Sequence, residues 1–272
     1  MSIVEETSVR AGDGARLHLE GEGPASCLML HGLGYAGWET AFLRAAVDAD
    51  IGLWSLDNRG TGRSDPLTGS CSIDDLAADA ARAIDALGGP MVVLGHSMGG
   101  YIAQALARAH PEKVAGLILV ATSPGGPRAT PVPDETTRAW LAAADLPPAE
   151  FARATMPLAF RPGWTREHPA RFEQILSARL ASPTPSETWR AQFAACAQFL
   201  SADHDPRDIA VPTVVIHGTA DRIVPVENGR LLAETMPAAR SLELPGAGHL
   251  PHLEDPALIG RHISAFIHAH TP

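Results

Sequence analysis

Along the chain, short apolar runs recur, each closed by Gly, Asp, Ser or His: SCLMLHG (26–32), GLWSLDN (52–58), PMVVLGHS (90–97), GLILVATS (116–123), PTVVIHG (212–218) and RSLELPG (240–246). Apolar runs without alternation are what a parallel sheet covered on both faces requires, so the pattern predicts an α/β fold. Two earlier runs, IVEETSVR and ARLHLEG, alternate instead and predict an antiparallel hairpin leading into the sheet.

Helical stretches lie between several of the runs. SIDDLAADAARAIDALGG opens on Ser72 as N-cap, carries Asp74 and Asp75 in the first turn where the dipole favours anions, and stops at Gly88. GGYIAQALARAHPEKV, directly after the run ending at Ser97, predicts a helix running to Pro111. From Gly126 to Gly218 the pattern changes, because Gly163 is the only glycine between them while prolines recur. The segments DETTRAWLAAAD, TREHPARFEQILSARL and PSETWRAQFAACAQFL are helical in pattern, the last opened by Thr184, Pro185 and Glu187 as N-cap, N1 and N3 of a capping box. Trp189, Phe193, Cys196, Ala197 and Leu200 fall on one apolar face of that helix. The expected organisation is a core from 1–125 and 211–272, interrupted by a helical cap from 126–210.

Composition narrows the function. With 272 residues, 45% of them hydrophobic and 19% charged, the chain can bury a sizeable core and is not a disordered or fibrous one. A net charge of −10, with Lys113 the single lysine, leaves no basic stripe for nucleic acid. The start, MSIVEETSVR, has no secretory pattern, and the longest apolar stretches, such as VAGLILVA, are too short to span a bilayer, so a cytoplasmic protein without membrane partner is expected. Cys27, Cys71 and Cys196 are scattered, odd in number and without metal-ligand spacing, which predicts reduced thiols packed as small apolar groups.

The chemistry gathers around Ser97 in GHSMGG, a G-x-S-x-G pattern between a strand and a helix. A sharp turn there strains the serine backbone, and glycines at 95 and 99 let the chain pack closely enough to make it. A serine hydroxyl needs a base, and the base an orienting carboxylate. Of 12 histidines, His249 in LPGAGHLPHLEDP follows the last strand on a glycine-flanked loop and is the expected base; His252 is its rival. His31, His96 and His217 end strands, where a backbone or supporting hydrogen bond is the expected role, and His110, His168, His204, His262, His268 and His270 read as surface residues. Asp221 in VVIHGTADRIVP, 28 positions before His249, is the expected acid, with Asp203 and Asp205 as rivals. Two backbone donors complete the set: the Met98 N–H beside the nucleophile and the Leu33 N–H in HGLG, where Gly32 and Gly34 allow close approach of substrate.

These motifs, HGLG (31–34), DNRGTGRSD (57–65), GHSMGG (95–100), GTADRIVP (218–225) and GAGHLPHLEDP (246–256), resemble in their order the cap-bearing, single-domain branch of the α/β-hydrolases. The resemblance implies a mostly parallel eight-stranded sheet flanked by helices, with the cap inserted. It also implies a serine hydrolase acting without cofactor or metal on a small ester or lactone, as monomer or homodimer, similar to 3-oxoadipate enol-lactonases and aryl esterases. Asp57, Arg59 and Ser64 then belong to a structural turn. A C–C bond or amide hydrolase with the same triad, a cofactor-free oxygenase or perhydrolase, and a non-catalytic receptor are the other readings this fold allows. Trp140, Phe151, Met156, Phe160, Trp164, Phe172 and Trp189 are the apolar candidates for pocket wall or cap core, Trp164 being taken as substrate-binding.

Overall fold

The computed structural model describes residues 4–270; Met1–Ile3, where the first alternating run begins, and residues 271–272 lie outside it. Its strands are β1 (Glu5–Arg10), β2 (Arg16–Gly21), β3 (Ala25–Leu30), β4 (Gly52–Leu56), β5 (Met91–His96), β6 (Val114–Val120), β7 (Thr213–Gly218) and β8 (Ala239–Leu244). They form one eight-stranded sheet in the order β1-β2-β4-β3-β5-β6-β7-β8. The β1–β2 hairpin joins β4 antiparallel, and all pairings from β4 to β8 are parallel. Each of the six predicted apolar runs is a strand of its own.

Both faces of the sheet are covered, which is why those runs need no polar alternation. The helices are α1 (Trp38–Arg44), α2 (Ile73–Ala86), α3 (Met98–Ala109), α4 (Asp134–Ala143), α5 (Pro148–Thr155), α6 (Trp164–Glu167), α7 (Pro169–Ala181), α8 (Ser186–Ser201), α9 (Val226–Thr235), α10 (Pro251–Glu254) and α11 (Pro256–His270). Leu28, Leu30 and Val93 point into one core with residues of α2 and α3, while Cys27, Met29, Val92 and Leu94 point into the other with residues of α1 and α11. Successive side chains of one strand thus serve two cores.

Local signals account for several boundaries. Ser72 Oγ accepts the Asp75 N–H at 3.1 Å, and the Asp75 carboxylate accepts the Ser72 N–H at 2.9 Å, a reciprocal cap typically worth about 1 kcal/mol. The predicted capping box at 184–187 does not form. Pro185 takes the cap position in extended conformation, α8 begins at Ser186, and the Thr184 hydroxyl donates instead to the Gly34 carbonyl at 3.0 Å. The helix predicted across 165–180 is divided at Pro169, which cannot donate to the preceding turn and starts α7.

Between β6 and β7 the chain forms only helices. They pack a third apolar cluster, with Met156, Phe160 and Ile175 meeting Tyr35, Ile223 and Leu250 of the sheet-edge loops. In the DNRGTGRSD turn, the Asp57 carboxylate accepts the Gly37 N–H at 2.7 Å and the Arg63 N–H at 2.8 Å, so its valences are spent on the backbone. All three cysteines are free and buried, and burial pushes the Cys27 thiol up to about 12. No helix among the described residues is long and apolar enough to cross a membrane.

Candidate active site

Parallel strands deliver their carboxyl ends to one edge of the sheet, where α/β folds keep their sites. Ser97, directly after β5, adopts φ 54° and ψ −116°, a conformation unfavourable for a side chain with Cβ. Three hydrogen bonds hold it there. Its N–H donates to the Val120 carbonyl at 2.9 Å, and its carbonyl accepts from Gly100 N–H and Thr122 Oγ1, each at 2.8 Å. A Cβ on Gly95 would stand 2.4 Å from the Gly99 oxygen, and one on Gly99 would stand 2.0 Å from the Leu30 oxygen. Both glycines are therefore steric requirements of the turn.

His249 and Asp221 meet at the same edge. The His249 Nδ1 lies 2.8 Å from Asp221 Oδ2, while Asp221 Oδ1 accepts the N–H groups of Ile223 at 2.8 Å and Val224 at 2.9 Å. His217 Nε2 adds a contact to Asp221 Oδ2 at 3.2 Å and is bonded to the Val224 carbonyl at 2.8 Å. Burial works to raise the Asp221 pKa, but the His249 charge and the hydrogen bonds from His217 and His249 overcome it and hold the carboxyl well below the ordinary range. For His249, burial is the largest influence and lowers the pKa, with Asp221 opposing it. The ring is thus neutral near pH 7, with Nδ1–H directed at Asp221 and Nε2 left with a lone pair. Ser97 and His249 line one cavity, although no hydrogen bond joins them in this structure, and such links commonly tighten only with substrate present.

Leu33 and Met98 line that cavity beside Ser97 and Gly32. The Gly34 residue is clamped from the helical segment between β6 and β7: its N–H donates to Gln192 Oε1 at 3.0 Å, and its carbonyl accepts from Thr184. Gly34, at φ +71°, is consequently not a wall of the cavity but a fixed point of the loop that presents Leu33, which corrects the expectation of substrate contact. Trp164 requires the same correction. It is buried against Phe160, ring centroids 4.4 Å apart, and its remaining edge faces an outer groove near Arg161 and His168. Phe160 and Phe172 share that cap core, whereas Trp140, Phe151, Met156 and Trp189 line the cavity. The apolar face of α8 supplies further lining through Phe193, Cys196, Ala197 and Leu200.

The cavity, solvent mouth included, encloses about 930 Å³ and is predominantly apolar. One charge interrupts it. Arg179 of α7, 8% exposed, lies over the Tyr35 ring at 4.7 Å with its Nη1 3.4 Å from the Tyr35 hydroxyl. Among the described residues it has no carboxylate partner. An arginine in the last turn of a helix reads from sequence as a solvated residue beside the helix C-terminus, and only the fold reveals where it points.

Behind the site lies a second group that sequence pattern did not reveal. Glu39 of α1 is fully buried, with His96 Nδ1 and His252 Nε2 each 3.1 Å from its Oε1 and His31 Nδ1 3.7 Å from its Oε2. His252, the rival base, faces this carboxylate and does not line the cavity. The rival acids are also remote from it: Asp205 caps the 206–208 turn and pairs with Arg207, and Asp203 lines an outer groove beside it. A second cluster of ligand-type side chains, Asp48, Asp50 and His268, is exposed and distant from the cavity.

A model of the alpha/beta hydrolase fold matches residues 28–256. A pimeloyl-[acyl-carrier protein] methyl ester esterase of Chromobacterium violaceum is 33% identical over 86% of this chain and 90% of its own. A 2-hydroxy-6-oxononadienedioate/2-hydroxy-6-oxononatrienedioate hydrolase of Paraburkholderia xenovorans is 30% identical over 95% of this chain and 93% of its own. Among solved structures, the enol-lactonase from Burkholderia xenovorans LB400 superposes with a TM-score of 0.81 at 25% identity, covering 96% of this chain and all of that one.

Proposed function

The chain belongs to the alpha/beta hydrolase fold family, and from that premise we propose that it hydrolyses a small carboxylic ester or lactone through a covalent acyl-enzyme. The observation that carries this reading is the Asp221–His249 hydrogen bond of 2.8 Å at the rim of the cavity that holds the strained Ser97. In the proposed cycle His249 Nε2 takes the Ser97 proton as Oγ attacks the carbonyl carbon. The Leu33 and Met98 N–H groups receive the developing oxyanion, and neither donates to a backbone acceptor among the described residues. His249 then protonates the leaving oxygen, and water, activated by the same ring, releases the acid. Asp221 holds the Nδ1–H tautomer throughout. Gly32, without a Cβ, leaves room for substrate beside Ser97, whose own Cβ would lie 3.4 Å from one added there.

Because burial lowers the His249 pKa, kcat/KM is expected to hold down to below about pH 6.5, the ordinary imidazole value, and then fall as the ring protonates. A pH profile on a neutral ester checks this. An acid limb at or above pH 7 would contradict it.

Arg179 narrows the substrate. A buried guanidinium that faces an apolar cavity without an acidic partner calls for an anion from the ligand, so the preferred substrate carries a carboxylate on the part held against the cap. The dioate in the name of the Paraburkholderia relative fits this reading and makes C–C bond hydrolysis of a carboxylate-bearing ketone the second candidate reaction. The test is a panel of p-nitrophenyl esters from acetate to decanoate, matched esters ending in carboxylate, an enol-lactone and a C–C substrate. Arg179→Met is expected to lower kcat/KM about 10- to 100-fold for carboxylate-bearing substrates, the value of a charged hydrogen bond, while neutral esters change less than about threefold. Equal losses on both classes would overturn the anion subsite.

A further inference from the structure

Beside the reactive cavity lies a second chamber of about 550 Å³, its own mouth included. Tyr101, Val132, Leu200 and Val224 line both spaces and therefore form the boundary between them. The chamber's other walls include Ala129, Pro131 and Pro225, together with the buried polar residues Ser123 and Asn228. Asn228 of α9, 1% exposed, spends both ends of its amide on one residue: Oδ1 accepts the Thr130 N–H and the NH₂ donates to the Thr130 carbonyl, each at 2.8 Å. Ser123 Oγ accepts the Gly125 N–H at 3.1 Å. With these groups engaged by the backbone, the chamber offers a ligand chiefly hydrocarbon surface, and an alkyl chain is what suits it.

The four boundary residues are not equivalent. Tyr101 of α3 is stacked on Phe199, ring centroids 4.8 Å apart and planes 15° from parallel. Val224 belongs to the loop of Asp221, its N–H donating to Oδ1 at 2.9 Å and its carbonyl meeting His217 Nε2 at 2.8 Å. Both are committed to other work. Val132 and Leu200 are half-buried aliphatic side chains whose only contribution is the space they fill, and their backbone is anchored. The Asn228 amide pins the chain two residues before Val132, and the Gly126 N–H donates to the Leu200 carbonyl at 2.9 Å, tying the start of the same segment to α8. Arg179 does not line the chamber, so the charge in the cavity and this boundary are separate features.

We propose that Val132 and Leu200 are specificity-determining residues: their side chains bar the chamber from the reactive cavity and so set the longest alkyl chain a substrate can carry. This rests on the reading of the cavity around Ser97 as the substrate site. A methylene that enters apolar surroundings adds about fourfold to affinity, whereas one that meets the barrier adds nothing. Trimming either residue joins the two spaces. The room gained then exceeds the volume of the side chain removed, which separates this role from the ordinary enlargement of a pocket.

Two measurements test it, one of them independent of turnover. Straight-chain 2-alkanones, neutral and without an ester bond, are titrated into Ser97→Ala while tryptophan fluorescence is followed, Trp140 and Trp189 standing in the cavity wall. Affinity is expected to rise about fourfold per methylene up to a limiting length and to level off there. With Leu200→Ala or Val132→Ala added, the rise is expected to continue past that length by more carbons than the side chain has lost. With Ser97 intact, kcat/KM on p-nitrophenyl esters from acetate to hexadecanoate is expected to peak at a longer acyl chain in both trimmed variants, raising the ratio of long to short esters by about tenfold or more. The two residues lie on different segments, so a variant that fails to fold leaves the other as the test, and the ketone series without either can itself contradict the proposal. Affinity that climbs without a limit in Ser97→Ala, a limit that trimming leaves in place, or a shift no larger than the carbons removed would overturn it. If the ketone limit moves while no ester is turned over, the boundary stands and the ester reading has failed.

Discussion

Ser97→Ala is expected to lower kcat on a short p-nitrophenyl ester by on the order of 10⁵- to 10⁶-fold, the scale of losing the nucleophile of an intact triad. Alanine keeps the Cβ, and the bonds that hold residue 97 at φ 54° run through its backbone, so the turn should survive the change. Single-turnover kinetics beside circular dichroism of both proteins checks this. Matched spectra with a collapsed rate assign the covalent step to the hydroxyl. A folded variant within about tenfold of wild type would remove Ser97 from the mechanism and point to an activated water.

Asp221→Asn is expected to cost about 10⁴-fold in kcat with little change in stability, for a reason visible in the hydrogen bonds. Oδ1 accepts two backbone N–H groups, from Ile223 and Val224, so an asparagine must place its oxygen there and its NH₂ where Oδ2 now faces His249. That NH₂ can only donate. Nδ1 is then driven to accept, the ring proton moves to Nε2, and the nitrogen facing Ser97 loses its lone pair. Rates measured for Asp221→Asn and Asp221→Ala at pH 7–9 check the argument. A loss below about tenfold in both would transfer the carboxylate role to another residue.

Much of this architecture was legible in the order of residues. The six unalternating runs mark strands because a sheet covered twice has no solvent face, and Ser72 with Asp75 marks a helix start through bonds confined to four residues. Ser97, Asp221 and His249 stand out because each follows a strand, and glycines flank the serine and the histidine. What stayed hidden depends on contacts between distant segments. Thr184 has the look of an N-cap, yet its hydroxyl serves a loop 150 positions away. Trp164 could stack on substrate or on Phe160, and only packing decides. Glu39 and Arg179 lie on helices where charged side chains ordinarily face water, and no periodicity announces that these two point inward.

The clamp on Gly34 has a mechanical meaning. Gln192 and Thr184, both from the stretch between β6 and β7, hold the two peptide groups on either side of the Gly34 Cα. The helices over the cavity and the loop carrying Leu33, the proposed oxyanion donor, are thereby tied together. In the proposed reaction, such a tie would make the position of the Leu33 N–H depend on the seating of the helices above the cavity.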